Sequence, residues 1–365
     1  MQKRNLKGYA YMKSIKVLAG VLFAFATLAG CGTANSAAAP SKPTLRIYTW
    51  SDYIAPAVVA RFEKEYGCKI VIDIFDSNEE MFEKLKTGKA NYDIAMPSSY
   101  LIPAMEESGM IRPLDHKKLP NVRKNFDAHY AGCILDPSFF FSVPYSMTLT
   151  GFIYRKDKIG AAPVNSWDVF ETAAFKGRLS LLDDIRETIG GGLKALGYSL
   201  NSANKAEIEA AVRKVLEWKR NIAKFESEQP EDAVASGDMI VGHCYSSDAI
   251  QLMLKNPNIG FALPEEGFTV AFDEMVILSG SKQSNLAHAF INFCFDPDVA
   301  AANMTAVCSP MPVAAAFPKL DAKLRQLVVP TAETLHRGEV LRSLDDKPEA
   351  FKMYNEAWER IKAGK

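Results

Sequence analysis

Three segments of this chain bring carboxylates, hydroxyls and flat aromatic rings within a few residues of one another. They are Trp50-Ser51-Asp52-Tyr53, Pro97-Ser98-Ser99-Tyr100 and Asp183-Asp184-Ile185-Arg186-Glu187. A fourth, Tyr245-Ser246-Ser247-Asp248, has a similar make-up, and Asp273 stands inside the apolar run 270–278. Most of these have an ordinary local explanation as well. Asp52 suits a helix N-cap beside two core aromatics, and the hydroxyls of Ser98 and Ser99 suit another. Asp184 with Glu187 three residues on has the spacing of a capping box. Asp273 is harder to explain locally, because a carboxylate inside a strand requires a partner.

Acids interleaved with rings suit a multiply charged organic cation. An ammonium group loses hydration on burial and needs a carboxylate or several oxygens in return. Methylenes between ammonium groups favour aromatic faces, which also attract the cations by roughly 0.5–2 kcal/mol each. A polyamine has both features. Other chemistries find less support. Gly190-Gly191-Gly192-Leu193-Lys194 lacks the spacing of a phosphate loop and suggests a helix lying close to another backbone. Asp184 and Glu187 resemble half of a glycosidase acid–base pair, with no second half in sight. An anion site would need basic residues at these positions, and Arg186 is the one candidate. There is no C-x-x-C, and none of the five histidines pairs with another at metal-ligand spacing, so no metal or cofactor is expected.

The elements that must position these residues alternate. A β-rich run over 45–50 precedes Pro56, placed where a first helical turn tolerates it. Val58, Val59, Phe62 and Tyr66 then recur at helical spacing until Gly67. A strand over 69–75, a helix over 79–86 and a strand over 92–96 complete a β-α-β-α-β series, which implies a parallel sheet with helices on its faces. After the stretch 139–154, a helix over 166–175 capped by Ser166, a strand over 179–182 and a helix over 206–218 are expected. Short strands over 239–243 and 259–263 follow, and the last quarter is mainly helical, ending with 349–362. In open parallel sheets, ligands bind beyond the carboxyl ends of the strands. The first three polar segments all fall at such ends.

The chain has 365 residues, enough for two domains, with 48% hydrophobic and 24% charged residues. The formal net charge of +0 conceals an asymmetry. Lys3, Arg4, Lys7, Lys13 and Lys16 are unopposed in the first 31 residues, leaving 38 basic against 43 acidic residues beyond them. A net acidic body argues against a nucleic-acid partner and fits a cationic ligand. The basic start runs into an apolar stretch over 17–29, too short to span a bilayer as a mature helix. It ends in Leu28-Ala29-Gly30-Cys31, similar to a bacterial lipobox, which implies a signal peptide over 1–31 and a lipid anchor on Cys31. Met12 also opens a conventional signal by itself. The small, polar stretch 32–43 suggests a flexible tether. Five further cysteines follow, an odd number, so at least one is free or pairs between chains.

From about Leu45 to its end the chain resembles the spermidine/putrescine-binding proteins of bacterial polyamine ABC transporters. The resemblance is carried by Tyr48-Thr49-Trp50-Ser51-Asp52-Tyr53-Ile54, Phe75-Asp76-Ser77-Asn78-Glu79 and Tyr92-Asp93-Ile94-Ala95-Met96-Pro97-Ser98-Ser99-Tyr100. The 183–187 segment and Asp296-Pro297-Asp298-Val299 add to it. It implies an α/β, two-lobed, type II periplasmic binding protein that closes like a flytrap, each lobe a mixed sheet flanked by helices. Lobe one would take 44–150 and 272–320, and lobe two 151–271 and 321–365, with strands crossing over 145–154 and 268–276. Position by position, it implies an aromatic wall from Trp50 and Tyr53, with Asp52 between them. It further implies amine contacts from Ser98 and Tyr100, carboxylates Asp184 and Glu187 for the other amine end, and Tyr245 with Asp248 as in a putrescine-specific branch. Asp273 would pair with an inner ammonium. Ala271, Ser309 and Leu341 depart from the pattern where two aromatics and a polar contact are expected, which points to a wider or wetter cavity. The resemblance implies a monomeric, non-enzymatic protein of the periplasm or cell surface whose partners are a polyamine, a permease and, through the anchor, a membrane. The rivals are a related protein for another cationic or amino-acid-like solute, and a secreted hydrolase.

Overall fold

A computed structural model describes residues 42–364 apart from 228, 345 and 346, so the expected signal peptide, Cys31 and nearly all of the tether lie outside it. Ten strands among the described residues are β1 Thr44–Thr49, β2 Lys69–Ile74, β3 Ile94–Ala95, β4 Ser142–Arg155, β5 Leu179–Leu181, β6 Lys224–Phe225, β7 Val241–Tyr245, β8 Ile259–Ala262, β9 Thr269–Ile277 and β10 Glu339–Val340. They form one mixed sheet in the order β2-β1-β3-β9-β4-β7-β5-β6, with β8 also on β4 and β10 on β9. At one end β1 pairs in parallel with β2 and β3, and at the other β5 pairs in parallel with β6 and β7.

Two long antiparallel strands join these ends. β4 runs along β9 from Ser142 to Leu149, then changes partners and runs along β7 and β8 from Thr150 to Arg155. The core divides accordingly. Leu45, Ile47, Val58, Phe62, Tyr145, Met275, Phe290 and Phe295 belong to one apolar cluster. Phe152, Trp167, Phe170, Val215, Trp218, Tyr354 and Ile361 belong to another. Leu324 and Val328, on the far side of the boundary expected at 320, pack in the first cluster.

Local chemistry explains most elements. Pro56 opens the helix Pro56–Tyr66, and Gly67 closes it at φ 61, where a side chain would clash with the backbone. Ser77 caps Asn78–Lys86 by accepting from Glu80 N. The single helix expected over 166–175 is instead two 3-10 turns, Trp167–Glu171 and Ala173–Phe175, although Ser166 does cap the first by accepting from Asp168 N. A 3-10 turn eclipses residues three apart, which lets both Trp167 and Phe170 enter the core. The third strand is also shorter than its apolar run, because only Ile94 and Ala95 complete a ladder with β1.

The glycine triplet lies within the helix Ile185–Ala195. A Cβ on Gly191 would stand 2.4 Å from the Trp167 ring, and one on Gly192 3.0 Å from the carbonyl of Ala211. Close packing of this helix is what the glycines permit. Gly191→Ala should therefore destabilise the fold by about 1–3 kcal/mol through overpacking, offset only partly by the gain in helix propensity. Urea denaturation would measure it, and an unchanged midpoint would contradict the packing described.

Candidate functional site

The strands direct their polar segments to one region. β1 delivers Trp50 and Tyr53. The Trp50 ring packs on Phe75 with centroids 4.4 Å apart, and its buried indole N–H has no hydrogen-bond partner among the described residues. Tyr53 donates its hydroxyl to Asp273 Oδ2, while its carbonyl accepts from Tyr145 at 2.9 Å. β3 delivers Ser98, which forms an isolated bridge with Asp273 on β9 and donates from Oγ to Asp273 Oδ1 at 2.6 Å. Asn78, at the start of its helix, ties this group together. Its amide donates to Ser98 Oγ at 3.0 Å and to Tyr100 Oη at 2.9 Å, and its carbonyl accepts from Ser98 N at 3.1 Å.

β5 leads to Asp184, the N-cap of the helix Ile185–Ala195, whose Oδ1 accepts from the backbone N–H groups of Arg186 and Glu187 at 2.8 and 2.9 Å. The capping half of the expected box is thus present. The reciprocal half is not: Glu187 turns away from the helix start and its Oε2 accepts from Thr269 Oγ1 at 2.8 Å. Burial, and then the charge of Asp184, push the Glu187 carboxyl well above the usual range. Asp184 is raised too, by burial, against the lowering pull of its two N–H donors and of Arg186. Neighbouring Asp183 is exposed and pairs with Lys362 at 2.7 Å. β7 ends at Tyr245, and Asp248 follows in the first turn of the helix Ser246–Lys255.

Burial raises the Asp248 and Asp273 carboxyls to about 6 each, although Ser247 donates to the first and Ser98 and Tyr53 to the second. A carboxyl shifted this way is one whose ionised form lacks solvation or a cation. The groups also feel one another. Tyr100 responds to the charges of Glu79 and Asp184, and Tyr245 to those of Asp184, Glu187 and Asp248. Tyr53, Ser98, Tyr100, Asp184, Glu187, Tyr245, Asp248 and Asp273 are thereby linked by contact or by field.

Asp52 is not drawn in. It is exposed at φ 51 with a hydrogen bond from its neighbour Ser51, because the turn that brings Tyr53 to Asp273 points it outward. Ser309 is spent inside the sheet, accepting from Ser146 Oγ at 2.8 Å and donating to Met147 O at 2.6 Å. Leu341 is buried, and Ala271 lies two residues before Asp273 on the same face of β9.

Sequence reasoning passed over Asn78 and Glu79 as site residues, although both stood in the quoted motif at 75–79. Glu79 is raised by burial and by Asp184. Glu231 also stands outside the expected site: it follows β6 only after an intervening loop, and its local sequence marks it as no more than a first-turn helix residue. Among the described residues, Glu231, Cys244 and Asp248 are the one group whose ligand atoms would suit a metal ion by proximity. All five cysteines of the described region are free and buried.

The family model for bacterial extracellular solute-binding proteins matches residues 57–324. The chain is 32% identical to the spermidine/putrescine-binding periplasmic protein of Escherichia coli over 334 residues, covering 91% of this chain and 95% of that protein. It is 33% identical to the putrescine/cadaverine-binding protein of Pseudomonas aeruginosa, covering 90% and 96%. Among solved structures, the spermidine/putrescine transporter substrate-binding protein of Streptococcus pneumoniae superposes with a TM-score of 0.79 at 32% identity, covering 88% of this chain and 99% of that one. A lipoprotein of Treponema pallidum superposes equally well, TM-score 0.79 at 28% identity, covering 87% and 99%.

Asn78→Ala would remove a buried amide and leave the Ser98 N–H without its acceptor. The expected loss is about 1–3 kcal/mol of folding stability. A thermal or urea melt would show it, and an unaltered melt would mean that Asn78 does not hold the network together.

Proposed function

The chain belongs to the bacterial extracellular solute-binding proteins, a binding family and not an enzyme family, and from that footing we propose that it captures a polyamine and delivers it to the permease of an ABC transporter. One observation carries the reading. Four carboxylates from both ends of the sheet, Glu187 buried and Asp184, Asp248 and Asp273 half-buried, have their proton affinities raised. Left ionised and unpaired, each would carry a desolvation penalty that an ammonium group offsets. The rings of Trp50, Tyr53, Tyr100 and Tyr245 supply the flat faces against which methylenes lie. Names of the relatives point the same way, since each of the three named above by its ligand binds putrescine, spermidine or cadaverine.

An anionic or amino-acid ligand fits less well. Arg186, the one guanidinium in reach of Asp184, already donates to Arg342 O and to Asn201 Oδ1. Both terminal nitrogens are thus engaged, which leaves Nε as the donor without a partner among the described residues.

In this reading β4 and β9 act as the hinge between two lobes, one built on 44–150 and 272–320 and extended by the residues around Leu324 and Val328, the other on the remainder. Closure buries the amine between Asp273 on one side and Asp184 with Glu187 on the other, and the permease recognises the closed form. The lipid on Cys31 tethers the protein to a bacterial membrane in the periplasm or at the cell surface.

A thermal-shift panel tests the function directly. Diamines and triamines at 100 times their dissociation constants should stabilise the protein by roughly 2.7 kcal/mol, whereas amino acids and dicarboxylates should not. Asp273→Asn should weaken amine binding by about tenfold or more, since the ammonium loses its charged partner. If no amine shifts the melt, or if a dicarboxylate does, the reading is wrong.

A further inference from the structure

A further acid, Glu231, stands beside Asp248. Glu231 sits in the first turn of the helix Pro230–Ser236, which follows β6. β6 and β7 both run parallel to β5, so Glu231 emerges at the same sheet edge as Asp184 and Asp248. The carboxylates of Glu231 and Asp248 and the thiol of Cys244 lie within 4.8 Å of one another. Oε2 of Glu231 is cut off from solvent and has no hydrogen-bond partner among the described residues. Burial first, and the charge of Asp248 next among the raising influences, push the Glu231 carboxyl up to about 7.

The thiol indicates what kind of cation belongs there. Cys244 is fully buried, burial holds it protonated, and its Sγ donates to the Tyr245 carbonyl at 3.3 Å. A neutral thiol engaged as a donor is a poor metal ligand, since metals bind the thiolate. An ammonium needs no thiolate and is satisfied by two carboxylates. Asp248, whose carboxylate lies within 4.8 Å of that of Glu231, is itself one of the four acids of the amine site proposed above.

We propose that Glu231 is a further specificity-determining residue of the amine site: paired with Asp248 beyond the Tyr245 ring, it receives a third ammonium group and makes the protein favour a triamine over a diamine. The proposal rests on the polyamine reading above. The methylenes between the second and third ammonium groups cross the face of Tyr245, and the third nitrogen reaches the one carboxylate oxygen in the group that is buried without a donor.

Isothermal titration of the wild-type protein and of Glu231→Gln, with butane-1,4-diamine and with spermidine, decides it. The wild type should bind the triamine about tenfold or more tightly than the diamine, the worth of one buried charge pair. Glu231→Gln should lose that preference while its diamine affinity stays within about twofold, which also shows the variant to be folded. Equal weakening of both amines, or of neither, overturns the proposal, and so does a wild type without triamine preference, which needs no variant to observe. Zn2+ or Ca2+ bound by the wild type and lost in Glu231→Gln, with the amine ratio unmoved, would assign the pair to a metal and overturn it as well. A wild type that binds neither amine would instead bring down the polyamine reading itself.

Discussion

Burying a carboxylate without a cation is costly, and this protein does so repeatedly at one place in its sheet. Asp273 has two hydroxyl donors, Asp184 two backbone N–H donors and Glu187 the hydroxyls of Thr269 and Thr150, yet each remains raised by burial. Neutral donors stabilise an ionised carboxylate only in part, so the remaining deficit favours either a proton or a ligand carrying positive charge. The rest of the structure follows from keeping that deficit in place. Tight packing beneath it, with glycines at 191 and 192 pressed against Trp167 and Ala211, fixes the helix that Asp184 caps. The Asn78 amide fixes Ser98 and, through it, Asp273.

The crossing strands give the deficit a mechanical consequence. Asp273 lies on β9, which pairs with β3 at one end and with β4 along most of its length. Thr269, at the other end of the same strand, donates to Glu187. One continuous strand therefore touches acids from both ends of the sheet. Glu274, adjacent to Asp273 but on the opposite face, is buried with Ser142 as its donor and raised to about 7. In the proposed closure, charge neutralised on one side of β9 changes the field along the strand assigned there as part of the hinge.

Much of this was legible in the residues. The alternation of strand and helix, the cap at Asp184, the tight approach of the Gly190-Gly191-Gly192 helix and the oddity of Asp273 in a strand all follow from local chemistry. Two things were not. A 3-10 turn and an α-helix share the cap at Ser166, and only the demand that Trp167 and Phe170 both reach the core separates them. Membership of the site depends on where a turn aims a side chain: Asp52 and Tyr53 are sequence neighbours, but the positive φ at 52 sends one outward and the other to Asp273. Asn78 and Glu231 are invisible for the complementary reason. Each looks like an ordinary first-turn helix residue until the neighbouring strand end is placed beside it.

Counting protons on amine binding tests the central claim most directly. With Asp248 and Asp273 both raised to about 6, each is about half protonated at pH 6 in the free protein. Ammonium groups arriving beside these acids should release at least about one proton from this pair, with Glu187, raised further still, adding to it, seen by titration calorimetry in buffers of different ionisation enthalpy. Affinity should accordingly rise as pH increases through this range. Amine binding with no proton release at pH 6, or with uptake, would mean that the buried acids are not what holds the ligand.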